Sequence, residues 1–178
     1  MSKQKKIGFY REHSQSNKRL IKIFEKNQKA RLENEWKDKN FIKNLVQSEK
    51  QARKEILKML NKEEVRTSDD FYRAAWFFHH GNTFRSYALA VALSAASYHL
   101  GELWGKNFYA VALDRFLLSV GRPQYFGTQF EKKYGKWRLS PYNKKTTDKE
   151  RKEYFVGPIR KAIKEIEKLN LKEKTNKT

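Results

Sequence analysis

The sequence predicts an all-α, or nearly all-α, single domain. Three glycines, Gly81, Gly101 and Gly121, divide residues 67–121 into apolar segments of helix length. Residues 16–61 contain no proline or glycine, and their apolar side chains recur at helical spacing. Small residues in the central segments would let backbones approach closely, so we expect a tetratricopeptide-like bundle of helical hairpins, although no clear repeat of about 34 residues is present.

The first two helices are predicted over residues 16–38 and 40–62, with a break near Asp38–Asn40, after a disordered basic tail at residues 1–15. Each helix carries one stripe: Leu20, Ile23, Phe24, Gln28 and Arg31 in the first, and Phe41, Leu45, Ser48 or Glu49, Ala52, Ile56 and Met59 in the second. Such amphipathic helices need a surface on which to bury the stripe. We therefore assign residues 16–66 and 67–171 to one domain.

The centre of the chain supplies that surface. Thr67 or Ser68 can cap a helix over residues 68–80, and two aspartates follow in its first turn, where negative charge is favourable. Further helices are predicted over 84–100, 104–120 and 158–170, the last beginning at Pro158. A short extended segment is expected near 134–140, and residues 172–178 are expected to be a disordered tail.

Composition excludes several classes of protein. The chain has no cysteine, which excludes disulfides, thiolate metal sites and a cysteine nucleophile. Its basic start lacks the apolar run of a signal peptide, and no segment approaches the roughly 20 apolar residues of a membrane span. We therefore expect a cytoplasmic protein without a transmembrane segment.

The formal net charge of +20 is unevenly distributed. Residues 1–66 carry 19 Lys/Arg against 9 Asp/Glu and residues 131–178 carry 16 against 7, whereas residues 67–130 carry 5 against 4. We call the two outer regions the basic wings. They would suit binding of a nucleic acid or a ribonucleoprotein, but lysines that merely solvate helix faces would give the same pattern.

The stretch "GRPQYFGTQF", Gly121–Phe130, follows the most apolar helix and is richer in amides and aromatics than a simple turn requires. Its two glycines and its proline would stiffen the loop. Gln124, Tyr125, Thr128 and Gln129 could then present polar groups in fixed directions. The loop is predicted to be one wall of a binding site, and a purely supporting role is the alternative.

Five segments resemble an uncharacterised bacterial family, a domain of unknown function. They are "NQKAR", "EKQARKEILKML", "SDDFYRAAWFFHHG", "ALDRFLLSVGRPQYFGTQF" and "TTDKERKEYFVGPIRKAI". Family members typically read Asp-Gln-x-x-Arg, Phe-Gln-His-Gly, Asp-Arg-Tyr/Phe-Leu and Gly-x-Pro-Gln-x-Tyr-Gly-Thr-Gln, in that order. The resemblance covers about residues 20 to 171, with Asn27 in place of the usual aspartate and His79 in place of the usual glutamine. It implies where a site lies and brings no established activity.

Two candidate catalytic residues and seven candidate ligand-binding residues follow from these patterns: His80 and Asp114, and then Gln28, Arg31, Arg115, Gln124, Tyr125, Thr128 and Gln129. His80 is the one candidate for proton transfer near neutral pH, and the Arg115 guanidinium would bind a carboxylate or phosphate.

No metal site is expected, because His79 and His80 point about 100° apart on a helix, and no cofactor is predicted. The hypothesis is a pocket for a small polar or anionic ligand, with binding and catalysis both open.

Structural roles are the alternatives for the same residues. His80 ends a predicted helix, where an imidazolium is favoured by the helix dipole alone. Asp114 and Arg115 could simply hold the following loop in place through hydrogen bonds.

Overall fold

The computed structural model describes residues 15–33 and 38–175, which form seven helices and one β-hairpin. The helices are α1 Lys18–Glu33, α2 Lys39–Asn61, α3 Ser68–His79, α4 Phe84–His99, α5 Leu103–Ser119, α6 Asp148–Glu153 and α7 Ile159–Thr175, and the strands are β1 Phe130–Lys133 and β2 Lys136–Leu139. The prediction of a nearly all-α protein with one short extended segment is confirmed.

Capping residues determine where the helices begin. The Thr67 hydroxyl accepts a hydrogen bond from the Asp70 backbone N–H (3.0 Å), and the Asp70 carboxylate accepts one from the Thr67 N–H (3.2 Å), which together form a capping box at the start of α3. Thr147 and Glu150 form a second capping box at the start of α6. Asp38 caps α2, at the predicted break between the first two helices.

The core lies between α3, α4 and α5. Consecutive helices of this group pack on each other, and α1 and α2 both pack on α3. Small side chains are fully buried where these helices meet: Ala74, Ala75, Ala90, Ala110 and Ala112. The predicted stripes of α1 and α2 also face this core, since Leu20, Ile56 and Met59 are buried there. On α2 it is Glu49 and not Ser48 that faces inward.

The hairpin pairs its strands antiparallel, with Phe130 opposite Leu139, and lies against α7. Asn170 on α7 accepts a hydrogen bond from the Trp137 N–H (2.8 Å) and donates one to the Trp137 carbonyl (2.9 Å). The Trp137 indole N–H donates to Glu173 (2.7 Å). The Asn170 side chain thus forms hydrogen bonds with the backbone of β2 that a third strand would form at this edge of the hairpin.

The helix boundaries differ from the predicted ones at several ends. The strands begin at Phe130, four residues before the predicted extended segment, and α6 was not predicted. The last helix continues to Thr175, whereas a tail was expected from residue 172. Residues 176–178 lie outside the described residues, as do residues 1–14 of the tail predicted at 1–15. None of the described helices has the length and apolar character needed to cross a membrane.

Candidate functional site

The loop that follows α5 is organised around the carboxylate of Asp114. This side chain is fully buried, and it accepts hydrogen bonds from the backbone N–H groups of Tyr125 (2.6 Å), Phe126 (2.7 Å) and Thr128 (2.9 Å) and from the Thr128 hydroxyl (2.9 Å). Burial raises the pKa of Asp114, and these hydrogen bonds oppose the rise. Within the described residues, all hydrogen bonds to this carboxylate come from the loop. Asp114 therefore holds the loop in place, which is the structural role that the sequence left open for it.

Gln124 ties the same loop to the end of the hairpin. Its side chain is fully buried; the amide donates to the carbonyls of Gln129 (3.1 Å) and Ser140 (2.8 Å), and its oxygen accepts from the Gln129 N–H (2.8 Å). Gly127, with φ of 77°, lets the chain turn at a point where a Cβ would lie only 2.7 Å from Ile159 Cδ1. The amides and glycines of this stretch are therefore explained by the shape of the loop.

Arg115 links this loop to the C-terminal end of α3. Its Nη1 donates to the His79 carbonyl (2.9 Å), and its Nε donates to the Gln129 side-chain oxygen (3.1 Å). The Gln129 amide in turn donates to the Val111 carbonyl (3.3 Å). Burial lowers the pKa of Arg115, so the guanidinium is held in a setting that is unfavourable for positive charge.

A second arginine reaches the same helix end from α2. Arg53 Nη1 lies 3.3 Å from both the Phe77 and the His80 carbonyl oxygens. These carbonyls belong to the last turn of α3, where backbone acceptors lack partners within the helix and carry partial negative charge. Burial also lowers the pKa of Arg53.

A third arginine, Arg31 on α1, is held by a buried carboxylate. Glu49 accepts hydrogen bonds from Arg31 through both Nε (3.0 Å) and Nη2, and a further one from the Asn27 amide (2.9 Å). The Asn27 oxygen accepts from the Trp76 indole (3.3 Å), and the Arg31 guanidinium lies 5.9 Å from the centre of the Trp76 ring. Asn27 thus joins α1, α2 and α3 by hydrogen bonds.

Two neutral histidines lie among the three arginines. His79 Nδ1 and His80 Nε2 are both buried, and neither has a hydrogen-bond partner among residues 15–33 and 38–175. Burial and the nearby guanidiniums lower the pKa of His79 to about 2 and that of His80 to about 3. Aromatic rings enclose both imidazoles, with Trp76 4.9 Å from His80 and Phe108 5.1 Å from His79 between ring centres. We call these two histidines with Arg31, Arg53 and Arg115 the arginine–histidine cluster.

The cluster contains three of the predicted site residues, Arg31, His80 and Arg115, and a fourth, Gln129, accepts a hydrogen bond from Arg115. The other predicted ligand residues lie elsewhere. Gln124 and Thr128 hold the loop, the Tyr125 hydroxyl donates to Glu150 (2.7 Å), and the Gln28 amide donates to Asn27 (3.4 Å). The predicted catalytic pair is also divided, because Asp114 faces the loop while His80 lies in the cluster.

Three residues of the site were not predicted as ligands or catalytic groups: Glu49, Arg53 and His79. The sequence does contain a pattern that indicates Glu49 and Arg53: they are four residues apart and so share a helix face. Asn27 and Arg31 have the same spacing on the neighbouring helix. A cavity of about 280 Å³ lies between these two helices and is lined in part by Asn27, Ser48 and Phe77. Its described lining residues include neither Glu49 nor Arg31.

Within the described residues, no group of three His, Cys, Asp or Glu side chains could hold a metal ion. Comparison of the chain with protein-family models, with curated proteins and with solved structures finds no match.

Proposed function

We propose that this protein binds a small oxyanion at the arginine–histidine cluster, with His80 as the group that exchanges a proton with the bound ligand. The observation that carries the proposal is the pair of imidazole nitrogens, His79 Nδ1 and His80 Nε2, buried without partners between three guanidiniums. Buried polar atoms are nearly always hydrogen-bonded in native proteins. Two such atoms on neighbouring residues, whose ring centres lie 5.2 Å apart, point to a ligand that completes their bonding.

The charge of the cluster favours a negative ligand. Arg31 is neutralised by Glu49. In the described part of the chain no salt bridge joins Arg53 or Arg115 to a carboxylate; both donate to backbone carbonyls, and Arg115 also to Gln129. These partners are dipoles and leave a formal charge of about +2 in a partly desolvated setting, which is costly unless an anion is present.

An oxyanion has the geometry that these donors need. Guanidinium N–H groups form paired hydrogen bonds to carboxylate and phosphate oxygens. Burial is the largest cause of the lowered pKa of His80, and the guanidiniums lower it further; an anion bound beside them would offset that second contribution and raise the pKa of His80 in part. His80 could then give or take a proton at the ligand, which is the requirement for general acid–base chemistry.

Thermal unfolding of the full chain with inorganic phosphate, citrate and nucleotides tests the proposal. A ligand that binds only the folded state raises the melting temperature, in proportion to RT ln(1 + [L]/Kd). We expect at least one oxyanion to raise it in the parent protein, and Arg53→Met and Arg115→Met to abolish the rise.

Arg85→Met is the matched control, because Arg85 is an exposed arginine of α4 whose removal changes the net charge equally. It should retain the ligand-induced rise. Two results would show that the arginines are only structural: no rise with any anion in the parent protein, or the same rise in all three variants.

A further inference from the structure

We propose that the tip of the β-hairpin binds a single-stranded nucleic acid, with the Tyr134 ring stacked on a base and with Lys133 and Lys136 beside phosphates. The hairpin tip is the segment of residues 133–136, which joins β1 to β2. None of its residues belongs to the arginine–histidine cluster. Binding of a nucleic acid at the tip therefore does not depend on binding of an oxyanion at the cluster.

The backbone of the hairpin tip holds Tyr134 in a conformation that a tyrosine side chain disfavours. Tyr134 and Gly135 both have positive φ, 52° and 74°, and form a two-residue turn between the strands. Such turns favour asparagine, aspartate or glycine at the first position, because larger side chains are strained there. Packing does not offset this strain, since Tyr134 is 89% exposed. Folding alone therefore gives no reason for a tyrosine at this position.

Positive charge flanks the exposed ring on both strands. Lys133 lies directly opposite Lys136 in the register of the hairpin, and like charges in that arrangement are destabilising. Lys133 Nζ also lies 5.4 Å from the centre of the Tyr134 ring. The pair of lysines is thus a second feature of the tip that lowers the stability of the hairpin by itself and that an anionic ligand would make favourable.

The carboxylates that contact the hairpin do not balance this charge. Glu131 on β1 pairs with Arg138 (2.8 Å), and Glu173 on α7 pairs with Lys132 (2.7 Å). In the described part of the chain, neither lysine of the tip forms a salt bridge. Positive charge and an exposed aromatic ring therefore lie together at one end of the hairpin.

Contacts with α7 hold the hairpin that carries the tip. Asn170 forms hydrogen bonds with the backbone N–H and carbonyl of Trp137, and the Trp137 indole donates to Glu173 (2.7 Å). Trp137 directly follows the tip in the chain. The tip is thus attached to a strand pair that is fixed on a helix, so less conformational entropy is lost when a ligand binds it.

A single-stranded nucleic acid offers both of the groups that the tip would recognise. Its unpaired bases stack on aromatic rings, and its phosphates attract lysines. In a duplex the base faces are covered by neighbouring base pairs, so Tyr134 would lose its stacking partner. An anionic membrane fits less well, because residues 132–136 read Lys-Lys-Tyr-Gly-Lys and include no aliphatic residue to insert among the lipids.

Fluorescence anisotropy of the full chain tests the preference for single strands without any variant. The probes are a labelled single-stranded RNA of about 12 nucleotides and the same RNA annealed to its complement. Charge alone favours the duplex, whose phosphates are more densely spaced. We expect the single strand to bind more tightly because of stacking on Tyr134; equal or tighter binding of the duplex would overturn the inference.

Tyr134→Asn removes the ring and supplies a residue that the backbone of the turn favours. We expect the melting temperature to stay unchanged or rise, while affinity for the single strand falls about 10-fold and affinity for the duplex is retained. Tyr134→Phe keeps an aromatic ring and should keep the affinity of the parent protein. Phe84→Ala is the matched control, because Phe84 is also exposed and its ring centre lies 5.5 Å from the Arg85 guanidinium carbon; it should leave both affinities unchanged.

Unchanged affinity of Tyr134→Asn for the single strand would show that the ring makes no contact with a base. An equal loss in Phe84→Ala would show that the effect is not specific to the tip. Displacement of the RNA by polyglutamate as effectively as by unlabelled RNA would indicate an acidic peptide as the ligand, and would also overturn the inference. Each of these results leaves oxyanion binding at the arginine–histidine cluster untouched.

Discussion

Two adjacent histidines at the end of α3 are held neutral by burial and by three arginines. Their pKa values in the folded protein, about 2 and about 3, lie below the ordinary value of 6.5. Between the folded pKa values and about pH 6.5, the unfolded chain therefore binds more protons than the folded chain. Stability contributed by the neutral histidines is fully present above about pH 6.5 and is lost as the pH falls toward the folded values.

We predict that the free energy of unfolding decreases by a few kcal/mol, at about 1.4 kcal/mol per pH unit for each histidine, as the pH is lowered from about 6.5 to about 4.5. Urea denaturation at a series of pH values measures this decrease in the free energy of unfolding. His79→Phe and His80→Phe should each flatten this slope, and His99→Phe should not. A parent slope that is flat over this range would contradict the assignment of two buried neutral histidines.

Asp114, on α5, is predicted to be the residue on which the following loop depends most. In Asp114→Asn one acceptor oxygen is replaced by an amide that faces backbone N–H groups, so we expect a loss of about 3–5 kcal/mol in unfolding free energy. Asp69→Asn is the control, because the Asp69 side chain is 41% exposed and should change stability by less than about 1 kcal/mol. A similarly small loss for Asp114→Asn would mean that the loop does not depend on this carboxylate.

The site could be predicted in part from single residues. Arg115 and His80 stood out because a charged or titratable side chain in an apolar helix needs a partner. Arg53 did not stand out, since it lies in a helix with many exposed lysines and only the packing of α2 on α3 brings it to the Phe77 and His80 carbonyls. Tyr125 and Thr128 were predicted from their polar side chains, and the structure shows these side chains hydrogen-bonded to Glu150 and Asp114.

At the level of helices and strands, local signals predicted boundaries well where a cap or a glycine was present. The end of α3 was predicted at residue 80 and lies at His79, next to Gly81. The six-residue α6 was missed because one and a half turns are too short to show an apolar period. The end of α7 was missed because its last turns are polar, and contacts of Asn170 and Glu173 with Trp137 accompany the longer helix.

Gly127 and Gly135 form a matched pair that tests the contact between the loop and α7. Both have positive φ, 77° and 74°, but a Cβ at Gly127 would lie 2.7 Å from Ile159 Cδ1, and one at Gly135 would meet nothing within 4 Å. We expect Gly135→Ala to cost about 1–2 kcal/mol from backbone strain, and Gly127→Ala to cost about 1 kcal/mol or more beyond that.

Chemical denaturation of both variants measures the difference. Adding Ile159→Val, which removes the crowding methyl group, should bring the cost of Gly127→Ala down to that of Gly135→Ala. Equal costs for the two glycine variants in the parent background would contradict the close contact between the loop and α7.

Across the whole molecule, positive charge has two different settings. Most lysines of the basic wings are exposed on α1, α2 and α7, whereas Arg31, Arg53 and Arg115 are partly buried in the cluster. Exposed cationic surface attracts nucleic acid through release of counterions, without sequence preference. Binding of nucleic acid by the exposed lysines and binding of an oxyanion by the partly buried arginines should therefore be separable by experiment.

We predict that generic RNA binds the protein at about 50 mM salt and dissociates steeply as the salt concentration rises. An electrophoretic mobility-shift assay at increasing salt concentrations measures this RNA binding. Arg115→Met should retain this binding, since it removes one of many charges, while losing oxyanion binding. No retention of RNA at low salt would show that the net charge of +20 has no such consequence.

The central claim is that His79 and His80 are neutral beside three guanidiniums and respond to a bound oxyanion. Nitrogen-15 NMR of the histidine side chains, with resonances assigned through the His79→Phe and His80→Phe variants, tests it most directly. We predict that both imidazoles stay neutral from about pH 7 to about pH 5, and that inorganic phosphate shifts the His79 and His80 signals while the His99 signal stays unchanged. Titration of His79 and His80 near pH 6.5, with no response of their signals to phosphate, citrate or nucleotides, would contradict the account.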